Sequence, residues 1–303
     1  MSELVRLFLN NLLPIFLATG TGVLLGHFFD INPRSLSQAA LYIFSPCLVF
    51  SLLTKTSLNH GELGFVVLIA LLVMLAIGFL SWIIGKGMNL ERRMLSSFIL
   101  STMFINAGNY GLPVTLFAFG TIALGYASIF FVTSAVLINT LGVFIASMGT
   151  LSARNAFLNL FRIPLFYATI LGFLVIQFDL SIPLPIERTI EILGDASIPV
   201  LMVLLGLQLR TASWRGFKIP LVAASVMRLL VSPVIAVILV SFLFLNIEAR
   251  QAVILEAAMP SAVMTTLLAT EFDADTNFVT AVVFTTTLLS PITLTPLLIF
   301  LGA

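Results

Sequence analysis

The sequence predicts an all-α integral membrane protein with ten transmembrane helices, arranged as two inverted repeats of five. Of its 303 residues, 60% are hydrophobic and only 9% are charged, and the mean hydropathy is +1.16. Soluble domains carry about 25% charged residues, so this composition excludes a large soluble helical protein. Apolar segments recur along the whole chain, and two of them are interrupted at corresponding places in the two halves.

A transmembrane helix needs roughly 20 apolar residues to cross the hydrocarbon core of a bilayer. Ten segments meet this requirement, with short polar links between them, and the least distinct boundary lies at Gly120. The N-terminal segment is too long for the apolar core of a signal peptide, so we assign it as the first span. The predicted spans lie at about Leu7–Leu25, Leu36–Thr54, Leu63–Ile84, Met94–Phe119, Ile122–Met148, Phe161–Phe178, Thr189–Leu209, Ile219–Leu245, Ala252–Thr270 and Phe278–Leu301.

Prolines and arginines recur at matching places in the two halves. Pro46 interrupts the second span and Pro199 the seventh, while Arg93 precedes the fourth span and Arg250 the ninth. Because each half has an odd number of spans, the second half crosses the membrane in the opposite direction from the first. We therefore expect one five-helix repeat in residues 1–150 and an inverted repeat in residues 151–303.

The basic residues of the loops predict the orientation of the chain, because cytoplasmic loops are enriched in Lys and Arg. Most of the 14 Lys and Arg residues fall on the inner side if the N-terminus is outside, among them Arg154, Arg162, Arg210 and Arg215. We expect a multi-pass protein of the plasma membrane, which is the inner membrane in a bacterium, with both termini outside.

The fourth span is broken in its middle by a dense run of asparagine, glycine and proline. Gly108 and Gly111 permit unusual backbone conformations, Pro113 lacks an N–H group, and Asn106 and Asn109 carry amides that donate and accept hydrogen bonds. Such a break survives only where it is buried in protein or lines a cavity. The helix that resumes after the break offers N–H groups and partial positive charge, which favour a carboxylate. A packed kink without a ligand is the alternative.

The ninth span is broken at Met259 and Pro260. The hydroxyls of Ser261 and Thr265 can satisfy the carbonyl groups that this break frees, or they can bind a ligand, and the sequence does not decide between the two roles. A matched pair of interrupted spans in the two halves is typical of a transporter binding site.

Three charged residues lie within predicted spans, namely Arg228 in the eighth, Glu256 just before Pro260 and Asp195 in the seventh. Charges inside a bilayer are costly, so they usually pair with each other or serve function. Glu256 is either a proton or cation site or the permanent ion-pair partner of Arg228. We assign all three residues to charge compensation or to coupling with protons or ions.

Composition and motifs exclude several other functions. The net charge of +1 gives no basic surface for nucleic acid. The single cysteine, Cys47, lies in an apolar stretch, and His27 and His60 stand alone rather than in a metal-binding cluster. The sequence has no nucleophile motif, zinc-protease motif or phosphate-binding loop, so we expect neither an enzyme nor a bound cofactor or metal.

The run from Asn106 to Pro113 resembles the fourth-helix signature of the auxin efflux carrier family, which includes plant PIN proteins and bacterial relatives. The stretch Glu256–Pro260 resembles the ninth helix of that family, Arg228–Pro233 its eighth and Gly194–Leu209 its seventh. The resemblance covers essentially the whole chain. It places the chain near the wider superfamily of bile-acid, arsenite and riboflavin transporters.

The resemblance implies crossed fourth and ninth helices that hold the substrate. It implies a scaffold of spans one, two, six and seven, against which spans three to five and eight to ten move in an elevator-like cycle. It also implies a homodimer and a small organic anion as substrate. The second crossover offers no amide opposite Asn109, so a carboxylate in general fits better than an indole specifically.

We therefore expect a transporter of small organic anions, either auxin-like or dicarboxylate, that works by alternating access. Protons or sodium ions are its candidate coupling ions. Two alternatives are a sodium-coupled symporter of the bile-acid-transporter type and a non-transporting membrane receptor or sensor. The candidate substrate-binding residues are Asn106, Gly108, Asn109, Tyr110, Gly111, Pro113, Pro260, Ser261 and Thr265.

Overall fold

The computed structural model describes residues 3–56, 58–147, 164–209 and 218–303. All regular structure in these residues is helical, apart from one isolated β-bridge. Seven of the described helices are long and apolar enough to cross a membrane, and one more is apolar but shorter, which confirms an all-helical membrane protein. In chain order the helices are α1 (Val5–Phe28), α2 (Pro33–Lys55), α3 (Gly61–Gly87), α4 (Arg92–Met103), α5 (Ala107–Ala146), α6 (Pro164–Gln177), α7 (Leu184–Leu209), α8 (Lys218–Ser241), α9 (Ile247–Ala257), α10 (Met264–Glu271) and α11 (Thr276–Leu301).

The helices differ from the predicted spans mainly at the two breaks. The fourth predicted span corresponds to α4 and the first part of α5, and the ninth corresponds to α9 and α10. Each of α4, α9 and α10 is too short to cross a bilayer alone. The loop arginines Arg154, Arg162, Arg210 and Arg215 lie outside the described residues, as does the beginning of the sixth predicted span.

Two helical segments meet at Gly120 within the stretch labelled α5, at the boundary that the sequence predicts between the fourth and fifth spans. At Gly120, φ is +77° and ψ is −166°, a conformation that essentially only glycine adopts. A Cβ atom added to Gly120 would meet nothing within 4 Å, so the backbone conformation alone requires glycine here.

A turn of π-helix precedes four prolines that lie inside continuous spans. Pro14, Pro46, Pro113 and Pro233 each occupy the second position of the helical segment that follows such a turn. A proline ring clashes with the carbonyl four residues earlier and leaves that carbonyl without its N–H partner. The wider π turn accommodates both effects, so the helix continues past each proline.

The most extensive helix packing falls within two sets of helices. In group A, α1 lies against the second half of α7, and α2 lies against α6 and the first half of α7. Gly22 and Gly206 bring α1 and α7 close together, because a Cβ on either residue would collide with the opposite backbone. In group B, which comprises α3 to α5 and α8 to α11, α5 packs against α9 and α3, and α4 packs against α3 and α11.

Candidate functional site

The two breaks are joined by backbone hydrogen bonds. The N–H of Asn106 donates to the carbonyl of Pro260 at 2.8 Å, and the N–H of Ala262 donates to the carbonyl of Phe104 at 3.0 Å. These two bonds form the isolated antiparallel bridge, and we refer to residues 104–106 and 260–262 as the paired breaks. Each break thus satisfies backbone groups that the other frees, which removes the penalty of leaving them unpaired at membrane depth.

Arg228 caps the helices that lead into both breaks. Its side chain is fully buried, and it donates to the carbonyl of Thr102 in α4 at 2.7 Å and to that of Ala257 in α9 at 2.6 Å. It also bonds to Ser232, whose hydroxyl donates to the same Ala257 carbonyl. The last carbonyls of a helix lack partners within it and carry partial negative charge, so one guanidinium compensates two helix ends.

Arg228 and Glu256 do not form an ion pair with each other, which was one of the two possibilities that the sequence allowed. The buried Glu256 carboxylate lies against Gly111, where a Cβ would collide with it, and accepts a 3.4 Å hydrogen bond from Thr115. Its second oxygen has no hydrogen-bond partner in the described part of the chain. The carboxyl group lies beside the first turns of α5, where the helix dipole favours its ionised form.

A cavity of about 80 Å³ lies at the beginning of α5 and is lined by Asn106, Ala107, Gly108 and Asn109, among others. Asn106 is only 5% exposed, and its Nδ2 has no partner within the described residues. The first N–H groups of a helix have no acceptor within that helix. The cavity therefore offers donors to a ligand: the amide of Asn106 and the positive end of α5. Gly108 leaves room for Phe131, which also lines the cavity.

Gln208, near the end of α7, is a site residue that the sequence analysis missed. The Nδ2 of Asn109 donates to its Oε1 at 3.2 Å. Gln208 lines the 80 Å³ cavity and also a neighbouring cavity of about 210 Å³ that reaches Arg34. The available signal was a single amide side chain in the otherwise apolar end of the seventh span.

Tyr110 and Pro113 do not line the cavity, although both belong to the first break. Tyr110 is fully buried, and its hydroxyl accepts a hydrogen bond from Ser290 at 3.0 Å. Pro113 lies buried beyond the π-helical turn. The helix begins at Ala107, well before the predicted restart after Pro113, because the π turn carries the chain past the proline.

The predicted residues of the second break are occupied with internal contacts. The N–H of Ser261 donates to Thr286 at 3.1 Å, and the hydroxyl of Thr265 donates to the carbonyl of Ala262 at 2.5 Å. Pro260 contributes its carbonyl to the paired breaks. In the described residues the Ser261 hydroxyl itself has no partner.

Asp195 lies apart from the other candidates. It lines a third cavity, of about 470 Å³, between α2, α5 and α7, together with Lys55. Lys55 forms ion pairs with Glu187, at 2.7 Å, and with Glu191. We refer to this space as the Lys55 cavity. The described residues contain no group of three or more His, Cys, Asp or Glu that could hold a metal ion.

Comparison with known proteins identifies the family. The profile of a family described as "membrane transport protein" matches residues 7–298. A Methanocaldococcus jannaschii protein described as an uncharacterized transporter is 27% identical over 282 residues, covering 88% of this chain and 92% of the relative. An uncharacterized transporter of Methanothermobacter thermautotrophicus is 26% identical over 285 residues, covering 90% and 92%.

Proposed function

The chain belongs to the membrane transport protein family, that of the auxin efflux carriers, and we propose that it carries small carboxylates, auxin-like or dicarboxylate, across the membrane. The family match confirms the resemblance found in the sequence, and transporters of this kind are generally not enzymes. The observation that carries the substrate proposal is the unpartnered amide nitrogen of Asn106, a residue that lines the cavity beside the first turn of α5.

The chemistry of this cavity suits a carboxylate. Amide donors and the N-terminal N–H groups of α5 can bind its oxygens without any fixed positive charge at the site. Hydrogen bonds to an ionised acceptor are roughly twice as strong as those to a neutral one. Apolar side chains such as Ile105, Phe131 and Leu204 also line the cavity, and hydrogen bonds beside them are stronger than in water.

In this proposal, alternating access is a movement of group B relative to group A. Group A contains the helices of the predicted scaffold, and group B contains those of the predicted transport domain. The packing of α1 on α7 and of α2 on α6 repeats when the two halves are exchanged, which supports an inverted repeat of five plus five helices. If the two halves of the chain are exchanged, each hydrogen bond between the paired breaks takes the place of the other. This symmetry supports a crossing of the fourth and ninth spans.

Charge compensation in this proposal is shared among the buried Arg228 and Glu256 and the exposed Asp195. Arg228 compensates the helix ends behind the paired breaks. Glu256 is the candidate proton site, because one of its oxygens lacks a partner in the described residues. Asp195 contributes to the Lys55 cavity, away from the anion. We propose a homodimer in a plasma membrane, the inner one in a bacterium, with both termini outside.

A thermal-shift screen of the purified protein tests the proposal. Monocarboxylates, dicarboxylates and indole-3-acetate are compared, with and without Na⁺ and at two pH values, because a ligand that binds only the folded state raises Tm by mass action. We expect one carboxylate class to raise Tm, an effect lost in Asn109→Ala and kept in Asn89→Ala, an exposed turn variant. Stabilisation by Na⁺ alone would favour the symporter, and no response to any anion would refute the substrate class.

A further inference from the structure

The side chain of Asn109 is held by a partner in the other packing group. Its Nδ2 donates to Gln208 Oε1 at 3.2 Å, and the two residues belong to α5 in group B and α7 in group A. Both side chains are half-buried and both line the 80 Å³ cavity. One N–H of the Asn109 amide, which could bind a carboxylate oxygen, is thus already bonded to a carbonyl oxygen of the protein.

Gln208 also lies where two cavities meet. It lines the 80 Å³ cavity beside Asn106 and the 210 Å³ cavity that reaches Arg34, and Ser37 and Val263 are shared by the two cavities in the same way. A molecule that moves from the larger cavity to the start of α5 therefore meets Gln208 before it meets Asn109.

We propose that Gln208 is an internal competitor of the transported anion, an inference that rests on the proposed function. Its Oε1 satisfies Asn109 Nδ2, and a ligand binds by displacing it. A carboxylate succeeds because an ionised acceptor forms the stronger hydrogen bond, whereas a neutral acceptor gains little from the exchange. When the anion leaves, Oε1 returns to Asn109, so the buried donor is satisfied in both situations. Gln208 thereby lowers the affinity for neutral molecules more than the affinity for carboxylates, and it does so without carrying a charge.

Two substitutions at Gln208 should change carboxylate affinity in opposite directions. Gln208→Met keeps the length of the side chain and removes the competing acceptor, so the Kd of the best carboxylate should fall about two- to tenfold, the range set by one net hydrogen bond. Gln208→Glu keeps the acceptor and adds a negative charge beside the site, so the Kd should rise at least about tenfold.

Binding is measured by ligand titration of the purified full-length protein, with Gln177→Met and Gln177→Glu as controls. Gln177 is an exposed glutamine at the end of α6 in the same group, and its substitutions should leave Kd unchanged. Gln208→Ala provides a second test if the methionine variant does not fold. An unchanged or higher Kd in the folded Gln208→Met or Gln208→Ala variant would overturn the inference alone. Failure of the wild-type protein to bind any carboxylate would overturn the proposed function and this inference with it.

Discussion

Asn106 contributes to the structure and to the candidate site through different atoms. Its backbone N–H and carbonyl bond to Pro260 and Gly111, which fixes the first break. Its side-chain Nδ2 has no partner among the described residues, and the residue lines the 80 Å³ cavity. The two contributions can therefore be separated by a substitution that changes only the side chain.

Asn106→Asp should abolish carboxylate binding while the protein still folds. The substitution retains the shape and the backbone bonds but places a negative charge beside the anion. Like charges about 4 Å apart repel by about 4 kcal/mol at an effective dielectric constant near 20, so the Kd should rise at least about a hundredfold. Ligand titration measures this effect, and Asn89→Asp on the exposed turn after α3 is the control. Unchanged affinity would place the anion elsewhere.

At the scale of helices, Arg228 holds α4 and α9 together at their C-terminal ends. Arg228→Met should lower the free energy of unfolding by about 3–5 kcal/mol, because the carbonyls of Thr102 and Ala257 lose a charged donor in a dry interior. Reversible unfolding in detergent measures the change. Arg188→Met, near the beginning of α7, should have little effect. A loss no larger than that of Arg188→Met would show that the two carbonyls do not depend on the guanidinium.

The bend in α5 can be tested with two glycines that differ only in backbone conformation. Gly120→Ala should destabilise the protein by about 1–3 kcal/mol, since alanine is strained at φ +77°. Gly20→Ala in α1 should be neutral or slightly stabilising, since it also meets nothing within 4 Å and lies in regular helix. Thermal unfolding of the two variants compares them, and equal Tm values would contradict a strained bend.

The sequence predicted the elements better than their contacts. Pro, Gly and Asn within apolar segments located both breaks, because those residues disrupt any helix locally. The partners of Arg228 and the pairing of Asn106 with Pro260 depend on residues far apart in the chain, so no local pattern indicated them. Gly120 is the least distinct boundary that the sequence predicts, and the helix is interrupted there, but a glycine in an apolar run does not by itself indicate its backbone conformation.

For the whole molecule, cross-linking tests whether group B moves against group A. Ser51 on α2 and Thr121 on α5 both line the Lys55 cavity. In a Cys47→Ser background, a short bismaleimide that joins Ser51→Cys to Thr121→Cys should arrest carboxylate uptake into proteoliposomes. A disulfide between Ser45→Cys and Ser197→Cys, whose buried hydroxyls are 3.3 Å apart within group A, should leave uptake intact. Continued uptake with the first pair linked would refute relative motion of the groups.

The paired breaks also constrain how the protein is made. While the ribosome is still synthesising the second half, the N–H of Asn106 and the carbonyl of Phe104 have left the tunnel without Pro260 and Ala262. Exposure of those groups to lipid is costly, so the first half cannot settle into its final position during insertion. We expect the insertion machinery, or water retained around residues 104–106, to shelter this segment until translation is nearly complete. Biogenesis of the protein is therefore a late, concerted event rather than a stepwise addition of helices.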